Sequence, residues 1–305
     1  MKKIIPAIAI TLGDPAGIGP EVVAKTLNDP RLPKGFHFEV LGKETGPGLH
    51  PGKLTRASAR AAYKALEEAA KGCLSGHFAA MVTGPVNKES IARLQPNFTG
   101  QTEFLARASG LPDEAAVMVL TDPKLTAALC TNHCSLKQAL DRLTPERIVQ
   151  VTKAVRIFLQ QRGIKQPRLG FAAINPHGGE NGLFGDEDLR IVRPACEMLA
   201  AADIALIRGP ADTIFYHAVE KRAFDAVVCA YHDQALIPFK LVAFETGVNV
   251  TLGLPIIRTS PDHGTALEIA GQGKADHRSM LAAVQLACRL AAAKARNLGL
   301  KRKHA

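Results

Sequence analysis

Along this chain, short continuous apolar runs alternate with longer stretches in which apolar positions recur every three or four residues. The runs lie near residues 4–12, 37–42, 79–83, 115–121, 125–131, 168–174, 204–207, 225–231 and 248–252, and they have the length and composition of buried strands. The first of them opens on Met1-Lys-Lys and leads into a glycine-rich loop, which reads as a strand and not as a secretory signal. Helical spacing covers residues 57–73, with Ser58 as candidate cap, and residues 145–162, with Thr144 as cap and Pro145 in the first turn. A third helical stretch covers residues 277–298, with Asp276 before it and Gly299 just past its end. Strands alternating with helices predict an α/β fold built on a mostly parallel, helix-covered sheet. No repeat or low-complexity linker interrupts the alternation, and the glycine- and proline-rich stretch 42–52 reads as a surface loop.

Three of the apolar runs end on a histidine: Ala127-Ala-Leu-Cys-Thr-Asn-His133, Gly170-Phe-Ala-Ala-Ile-Asn-Pro-His177 and Ala226-Val-Val-Cys-Ala-Tyr-His232. Ligands of open α/β sheets sit beyond the carboxyl ends of the strands. Any one of these residues alone reads as a satisfied or surface histidine. Three imidazoles delivered to the same edge point instead to a shared divalent metal.

At 305 residues the chain is long enough for one large α/β unit or two lobes. No apolar stretch reaches membrane-spanning length; the alanine-rich segment near the C-terminus is broken by Arg289 and Lys294. The six cysteines form no CxxC pair and fall mainly in apolar runs, as expected of reduced thiols in a cytoplasmic protein. The net charge of +10 would attract nucleic acid or small phosphorylated or carboxylated metabolites. Apart from the tail Lys301-Arg-Lys-His304 the basic residues are scattered, and the chain has no tryptophan and only three tyrosines. Without an aromatic platform, a small anionic metabolite is the better partner, and no nucleic acid or membrane is expected.

Several polar constellations accompany the histidines. Thr11-Leu-Gly-Asp-Pro-Ala-Gly-Ile-Gly-Pro-Glu21 lies between a strand and a helix and serves either as a ligand loop or as a structural turn; its glycine spacing is not that of the GxGxxG fingerprint. Thr83-Gly-Pro-Val-Asn-Lys88 and Phe98-Thr-Gly-Gln-Thr-Glu-Phe104 offer hydroxyl and amide groups to an oxygen-rich substrate, although Asn87 and Thr102 also suit helix caps. Tyr231-His-Asp-Gln is followed by Lys240, Asn249, Arg258 and Asp262-His-Gly-Thr-Ala-Leu-Glu-Ile-Ala-Gly271. Lys240 and Arg258 stand in otherwise apolar sequence, which favours a buried phosphate or carboxylate site.

Together the segments TLGDPAGIGPE, TGPVNK, NPHGGENGLFGDE, YHDQ and GVNVTLGLPIIRTSPDHGTALEIAGQGKAD resemble the 4-hydroxythreonine-4-phosphate dehydrogenase family of pyridoxal phosphate biosynthesis, over residues 4–290. The resemblance implies the isopropylmalate dehydrogenase-like fold: two α/β/α lobes, approximately residues 1–118 plus 252–305 for the cofactor and 119–251 for metal and dimer formation, with the active site in the cleft between them. It implies metal binding by His133, His177 and His232, and a homodimer whose metal sites draw ligands from both subunits. Substrate contacts carry over to Gln101, Thr102, Lys240, Asn249 and Arg258. The implied reaction is NAD(P)-linked oxidation and decarboxylation of 4-phosphooxy-L-threonine, with one divalent ion per site (zinc, cobalt, magnesium or manganese). Asp233, Asp262 and a metal-bound water are the candidate bases.

Asp262–Gly271 resembles the adenosine-binding loop of isopropylmalate dehydrogenase. The cofactor residues by that likeness are His263, Gly264, Thr265, Glu268 and Asp276. Glu268 stands where an acidic residue faces the ribose, which favours NAD over NADP; otherwise it opens a short helix and points to solvent. Three departures stand out. Gln101 replaces the usual histidine and carries no charge and shuttles no proton. Ala235 replaces the usual glycine after YHDQ. The region 43–55 is shorter than in family members, which trims a lobe edge and not the active site. The alternatives are a paralogous dehydrogenase acting on D-threonate 4-phosphate or a dihydrodiol, and a non-redox metal-dependent hydrolase or lyase.

Overall fold

A computed structural model describes residues 5–303. In chain order the elements are β1 (Ala7–Thr11), α1 (Gly19–Leu27), β2 (His37–Leu41), α2 (Arg56–Leu74), β3 (Ala80–Thr83), α3 (Lys88–Ala92), α4 (Gln101–Ala108), β4 (Val117–Thr121), β5 (Thr126–Leu129), α5 (Leu136–Arg142), α6 (Pro145–Gln161), β6 (Leu169–Ala172), α7 (Arg193–Ala200), β7 (Leu206–Gly209), α8 (Ala211–Val219), β8 (Ala226–Cys229), α9 (His232–Ala243), β9 (Val248–Leu252), β10 (Arg258–Pro261) and α10 (Arg278–Lys303). They divide into two units, one of residues up to Ala116 and from Glu245 onward, the other Val117–Phe244. The second crossing falls ahead of residue 252 because β9 pairs antiparallel with β10, Thr251 opposite Arg258 and Asn249 opposite Ser260.

In the first unit the strand order is β2-β1-β3-β10-β9, parallel throughout except for β9. Helix α2 buries Ala59, Ala62, Ala65, Leu66, Ala69 and Ala70, a stripe at helical spacing whose small side chains let the helix lie close over Ala9 and Met81. Its N-cap is Thr55, not Ser58. Thr55 Oγ1 accepts the Ser58 N–H at 3.0 Å while Ser58 Oγ accepts the Thr55 N–H at 3.1 Å, a reciprocal capping box one turn earlier than the apolar pattern suggests. Strand β10 escaped the reading of apolar runs because it is Arg-Thr-Ser-Pro, yet every residue of it is buried. Its polar groups find partners instead of water: Thr259 Oγ1, for instance, donates to Ala283 O at 2.9 Å. Helix α10 continues through Gly299 to Lys303; an internal glycine costs about 1 kcal/mol relative to alanine and does not by itself end a helix flanked by leucine, lysine and arginine. The side chains of the basic tail Lys301–His304 lie outside the described residues.

In the second unit the order is β4-β5-β8-β6-β7, with β4 and β5 antiparallel and the rest parallel. Strands β4, β5, β6 and β8 are buried at every position, which is why they read as unbroken apolar runs rather than as alternation. Leu120, Leu129, Val227, Ile214 and Phe239 fill the core beneath α8 and α9. Thr144 caps α6 by accepting the Arg147 N–H at 3.2 Å, with Pro145 at the first position as expected. All six cysteines are free, and Cys130 and Cys229 are fully buried; burial pushes the Cys130 thiol up to about 12. Among the described residues no helix is long and apolar enough to cross a membrane.

Candidate active site

In the second unit, neighbouring strands carry the three histidines to one end of the sheet. The pairing of β5 with β8 continues past the strand ends: Cys130 N–H donates to Cys229 O at 2.8 Å, and Thr131 Oγ1 donates to Ala230 O at 2.8 Å. This zipper brings His133 and His232 together, with ring centroids 5.3 Å apart. His232 opens α9, and its Nδ1 lies 2.7 Å from Asp233 Oδ1. With the proton on Nδ1, the imidazole presents Nε2 as a lone-pair donor, the arrangement in which a carboxylate orients a metal-binding histidine. Asp233 is 72% exposed and engaged with that imidazole.

His177 stands past the end of β6 in the turn Pro176–Gly179, at a positive φ of 54°. Asp188, only 1% exposed, braces this turn by accepting the N–H groups of Ile174 at 3.0 Å and Asn175 at 2.9 Å. The His177 ring lies 6.2 Å from that of Phe184. Among the described residues no three His, Cys, Asp or Glu side chains gather closely enough to hold a metal ion, so one chain pairs two of the three expected imidazoles.

Gln234, last residue of the YHDQ motif, ties the strand ends together. Its Oε1 accepts the Ala230 N–H at 2.7 Å, and its Nε2 donates to Ala172 O and Ala173 O at 3.2 and 2.8 Å. Sequence reasoning quoted Gln234 but gave it no role, and Asp188 went unremarked. The available signal was a polar residue among apolar ones beside a histidine. Lys240, two turns into α9, places its ammonium 5.3 Å from the centroid of the Phe244 ring.

In the first unit Arg258 opens β10 and is only 4% exposed. Its Nε and Nη2 donate to Thr83 Oγ1 at 3.0 and 2.8 Å, and its Nη1 to Thr251 Oγ1 at 3.1 Å. Nη2 also lies 3.5 Å from Gln101 Oε1, while Gln101 Nε2 donates to Gly84 O at 3.1 Å. Burial lowers the guanidinium to about 10, against the opposing field of Glu103, so it remains a cation at neutral pH. Among the described residues its hydrogen-bond partners are neutral oxygens. A buried cation held this way has the chemistry to meet an anion. Thr83 and Thr251, which aim the guanidinium, were not named as site residues; Thr83 was visible only as the head of TGPVNK.

Thr102 follows Gln101 in the first turn of α4 and caps nothing; that position belongs to Gly100. Asn87 does cap α3, accepting the Ser90 N–H at 2.8 Å. Asn249, on β9, has a buried Oδ1 without a hydrogen-bond partner. The Asp262 N–H donates to Ser279 Oγ at 3.0 Å, and Ser279 Oγ in turn donates to Gly247 O at 2.7 Å. Beyond it, His263 Nδ1 lies 3.0 Å from Gly264 O, Gly264 is exposed, and Thr265 is partly buried against Gly17. Glu268 lies exposed in a three-residue turn, Leu267–Ile269. Asp276 accepts the Arg278 N–H at 2.9 Å and pairs with its guanidinium at 2.6 Å, a local tie at the start of α10. The loop 42–52 is largely exposed, but its last residues reach the motif loop: Gly52 N–H donates to Ala16 O at 2.8 Å, and Pro51 packs against Gly271.

The model of the pyridoxal phosphate biosynthetic protein PdxA family matches residues 22–287. A 4-hydroxythreonine-4-phosphate dehydrogenase of Geobacter metallireducens is 40% identical, over 96% of this chain and 98% of its own. A D-threonate 4-phosphate dehydrogenase of Pectobacterium atrosepticum is 37% identical, over 95% of this chain and 100% of its own. The crystal structure of a 4-hydroxythreonine-4-phosphate dehydrogenase from Klebsiella pneumoniae superposes with a TM-score of 0.79 at 36% identity, covering 94% of this chain and 99% of that one. A β-decarboxylating dehydrogenase from Thermococcus kodakarensis shares the fold, at a TM-score of 0.56 and 15% identity over 93% of this chain and 82% of its own. The buried guanidinium on β10 and the histidines at the strand ends of the second unit are thus features of a member of the pyridoxal phosphate biosynthetic protein PdxA family, to which this chain belongs.

Proposed function

We propose that this chain oxidises the secondary alcohol of 4-phosphooxy-L-threonine with NAD(P)+ and releases CO2 to give 3-amino-2-oxopropyl phosphate, a step of pyridoxal phosphate biosynthesis. The observation that carries the reading is Arg258: a nearly fully buried guanidinium, aimed by Thr83, Thr251 and Gln101, whose hydrogen-bond partners among the described residues are neutral oxygens and whose charge is offset only at longer range by Glu103. A phosphate monoester supplies the missing anion, replacing a neutral partner with a charge-assisted contact to the guanidinium. Thr102 and the unpartnered Oδ1 of Asn249 offer further polar contacts to an amino- and hydroxyl-bearing substrate. Lys240 supplies a second cation. A dinucleotide bound to the chain would take up the hydride while a base takes the hydroxyl proton, and the resulting β-keto acid would expel CO2. Asp233 is engaged with His232, which suits it to orienting that imidazole and leaves Asp262 the stronger candidate base.

The donor set His133, His177 and His232 fits a borderline divalent ion, with Nε2 of His232 freed by the Asp233 contact. Such an ion, when bound, lowers the pKa of the coordinated hydroxyl. The resemblance describes a homodimer with shared sites, which accounts for a single chain pairing only two of these imidazoles. The segment His263, Gly264, Thr265, Glu268 and Asp276 binds the dinucleotide in this reading. Glu268, exposed and acidic, favours NAD by accepting from ribose hydroxyls and repelling a 2′-phosphate.

Gln101 gives a specific reason for a second reading. A neutral amide where relatives carry histidine suits a substrate that needs no proton delivered at that point, such as D-threonate 4-phosphate, which lacks the amino group. Steady-state turnover on the two phosphates, followed by reduced-nicotinamide absorbance, decides between them. A higher kcat/KM on 4-phosphooxy-L-threonine supports the first reading, a higher value on D-threonate 4-phosphate the second, and no reduction of cofactor on either would overturn both.

A further inference from the structure

The Thr11–Glu21 motif has so far received no function, yet it is the segment on which residues 263–275 are built. Between Asp262 and Arg278 the chain has no regular structure beyond the turn Leu267–Ile269, and it contains left-handed backbone at Ala266, Gly271 and Gly273. A segment of this kind keeps its shape only through contacts made from outside. Besides Pro51, which packs against Gly271, those contacts come from the motif and the helix α1 that continues it. Ile18 N–H donates to Thr265 O at 2.9 Å. Gly17 lets the chains touch, since a Cβ there would lie 2.7 Å from Thr265 O.

One helical turn further on, two charged side chains of α1 grip the backbone at the other end of the segment. Glu21 accepts the N–H groups of Ala275 at 2.7 Å through Oε1 and Gly273 at 3.1 Å through Oε2. Lys25 Nζ donates to the carbonyls of the same two residues, Gly273 at 2.9 Å and Ala275 at 2.7 Å. The two side chains also pair with each other at 2.8 Å. Donor therefore meets acceptor at all four backbone groups, and every bond is charge-assisted. The partners are about 250 residues apart in sequence, so no local propensity produces the arrangement.

We propose that Glu21 and Lys25 are positioning residues for the dinucleotide: they clamp Gly273 and Ala275 and so hold residues 263–276 in the shape that receives the cofactor. The proposal rests on the assignment of that segment to the dinucleotide made above. Glu21 and Lys25 are spent on the backbone and on each other, so the effect runs through the fixed backbone, because a ligand must otherwise order the segment at the expense of its own affinity.

The test combines kinetics with amide hydrogen exchange on wild type, Glu21→Gln, Lys25→Met and the exchanged pair Glu21→Lys/Lys25→Glu. Dinucleotide should slow exchange across 263–276 in the wild type; if it does not, the cofactor assignment falls and the positioning role with it. Given that protection, each single variant should raise KM for the dinucleotide about tenfold with kcat within a factor of two or so, and should speed exchange at Gly273 and Ala275 in the free enzyme. The exchanged pair keeps an ion pair on α1 but sets donor against donor and acceptor against acceptor, so it should stay impaired. An unchanged KM in both single variants, or wild-type KM in the exchanged pair, would overturn the clamp while leaving the cofactor assignment standing.

Discussion

At the scale of single residues, candidates for chemistry stand out wherever a polar side chain interrupts an apolar run. His133, His232, Arg258 and Gln234 all carry that signal, whereas Thr83 and Thr251, which aim Arg258, do not. Thr83, Thr251 and Gln234 are common residue types whose roles depend on strands distant in sequence. Charge-assisted contacts are worth about 1.5–3 kcal/mol each. Arg258→Ala should accordingly lower kcat/KM on the phosphorylated substrate at least about tenfold and affect an unphosphorylated analogue much less, measured side by side. Equal losses on both would assign Arg258 to the integrity of β10. Exposed Glu268 makes a separate forecast, since the wild type should prefer NAD and Glu268→Lys should move the kcat/KM ratio towards NADP. A ratio unchanged by the mutation would mean the carboxylate only faces solvent.

At the scale of elements, hydrophobic pattern identified nine strands and the three long helices but not β10, whose Arg-Thr-Ser-Pro is polar and buried at once. Capping was misplaced at α2 for a related reason: Thr55 lies outside the apolar stretch and only its reciprocal bonds with Ser58 reveal it. The start of α10 shows how charge fixes an element where pattern is weak. His277 Nε2 lies 2.9 Å from Asp29 Oδ2, and Arg31 donates to the same carboxylate through its backbone, Nε and Nη2. Hydrogen bonds from Arg31, then from His277, hold Asp29 far below its ordinary 3.8. A depressed carboxylate contributes stability at pH values above its unfolded pKa and loses that contribution as pH falls. Asp29→Asn should therefore lower Tm at pH 7 and flatten the fall of Tm as pH drops below about 4. Thermal scans across that range check it; parallel curves for mutant and wild type would show that the carboxylate is not linked to folding. The strand-end histidines make the other element-scale forecast. His133→Ala or His232→Ala should abolish turnover and lower bound divalent metal while leaving the far-ultraviolet circular dichroism unchanged, and a metal-free His232→Ala enzyme with full activity would exclude the histidines as ligands.

At the scale of the whole molecule, what no single-chain pattern discloses is how copies associate. Helix α9 begins with His232, buries Ala235, Phe239 and Ala243 against the core of its own unit, and turns Ile237, Leu241 and Phe244 outward at 70%, 86% and 73% exposure. Scattered exposed apolar residues are ordinary, but three of them along one helix, on the element that carries a candidate metal ligand, form a patch that water solvates poorly. In the homodimer proposed above, a second copy covering this patch would bring a further imidazole within reach of the His133–His232 pair. Leu241→Glu/Phe244→Glu places two charges in that patch and should convert a dimer into a monomer by sedimentation velocity. Bound metal and turnover should fall together with the dimer, since the ligand set would then be incomplete. A monomeric variant that keeps its metal and its activity would show that each chain assembles the site by itself, and a variant that stays dimeric would place the interface elsewhere on the surface.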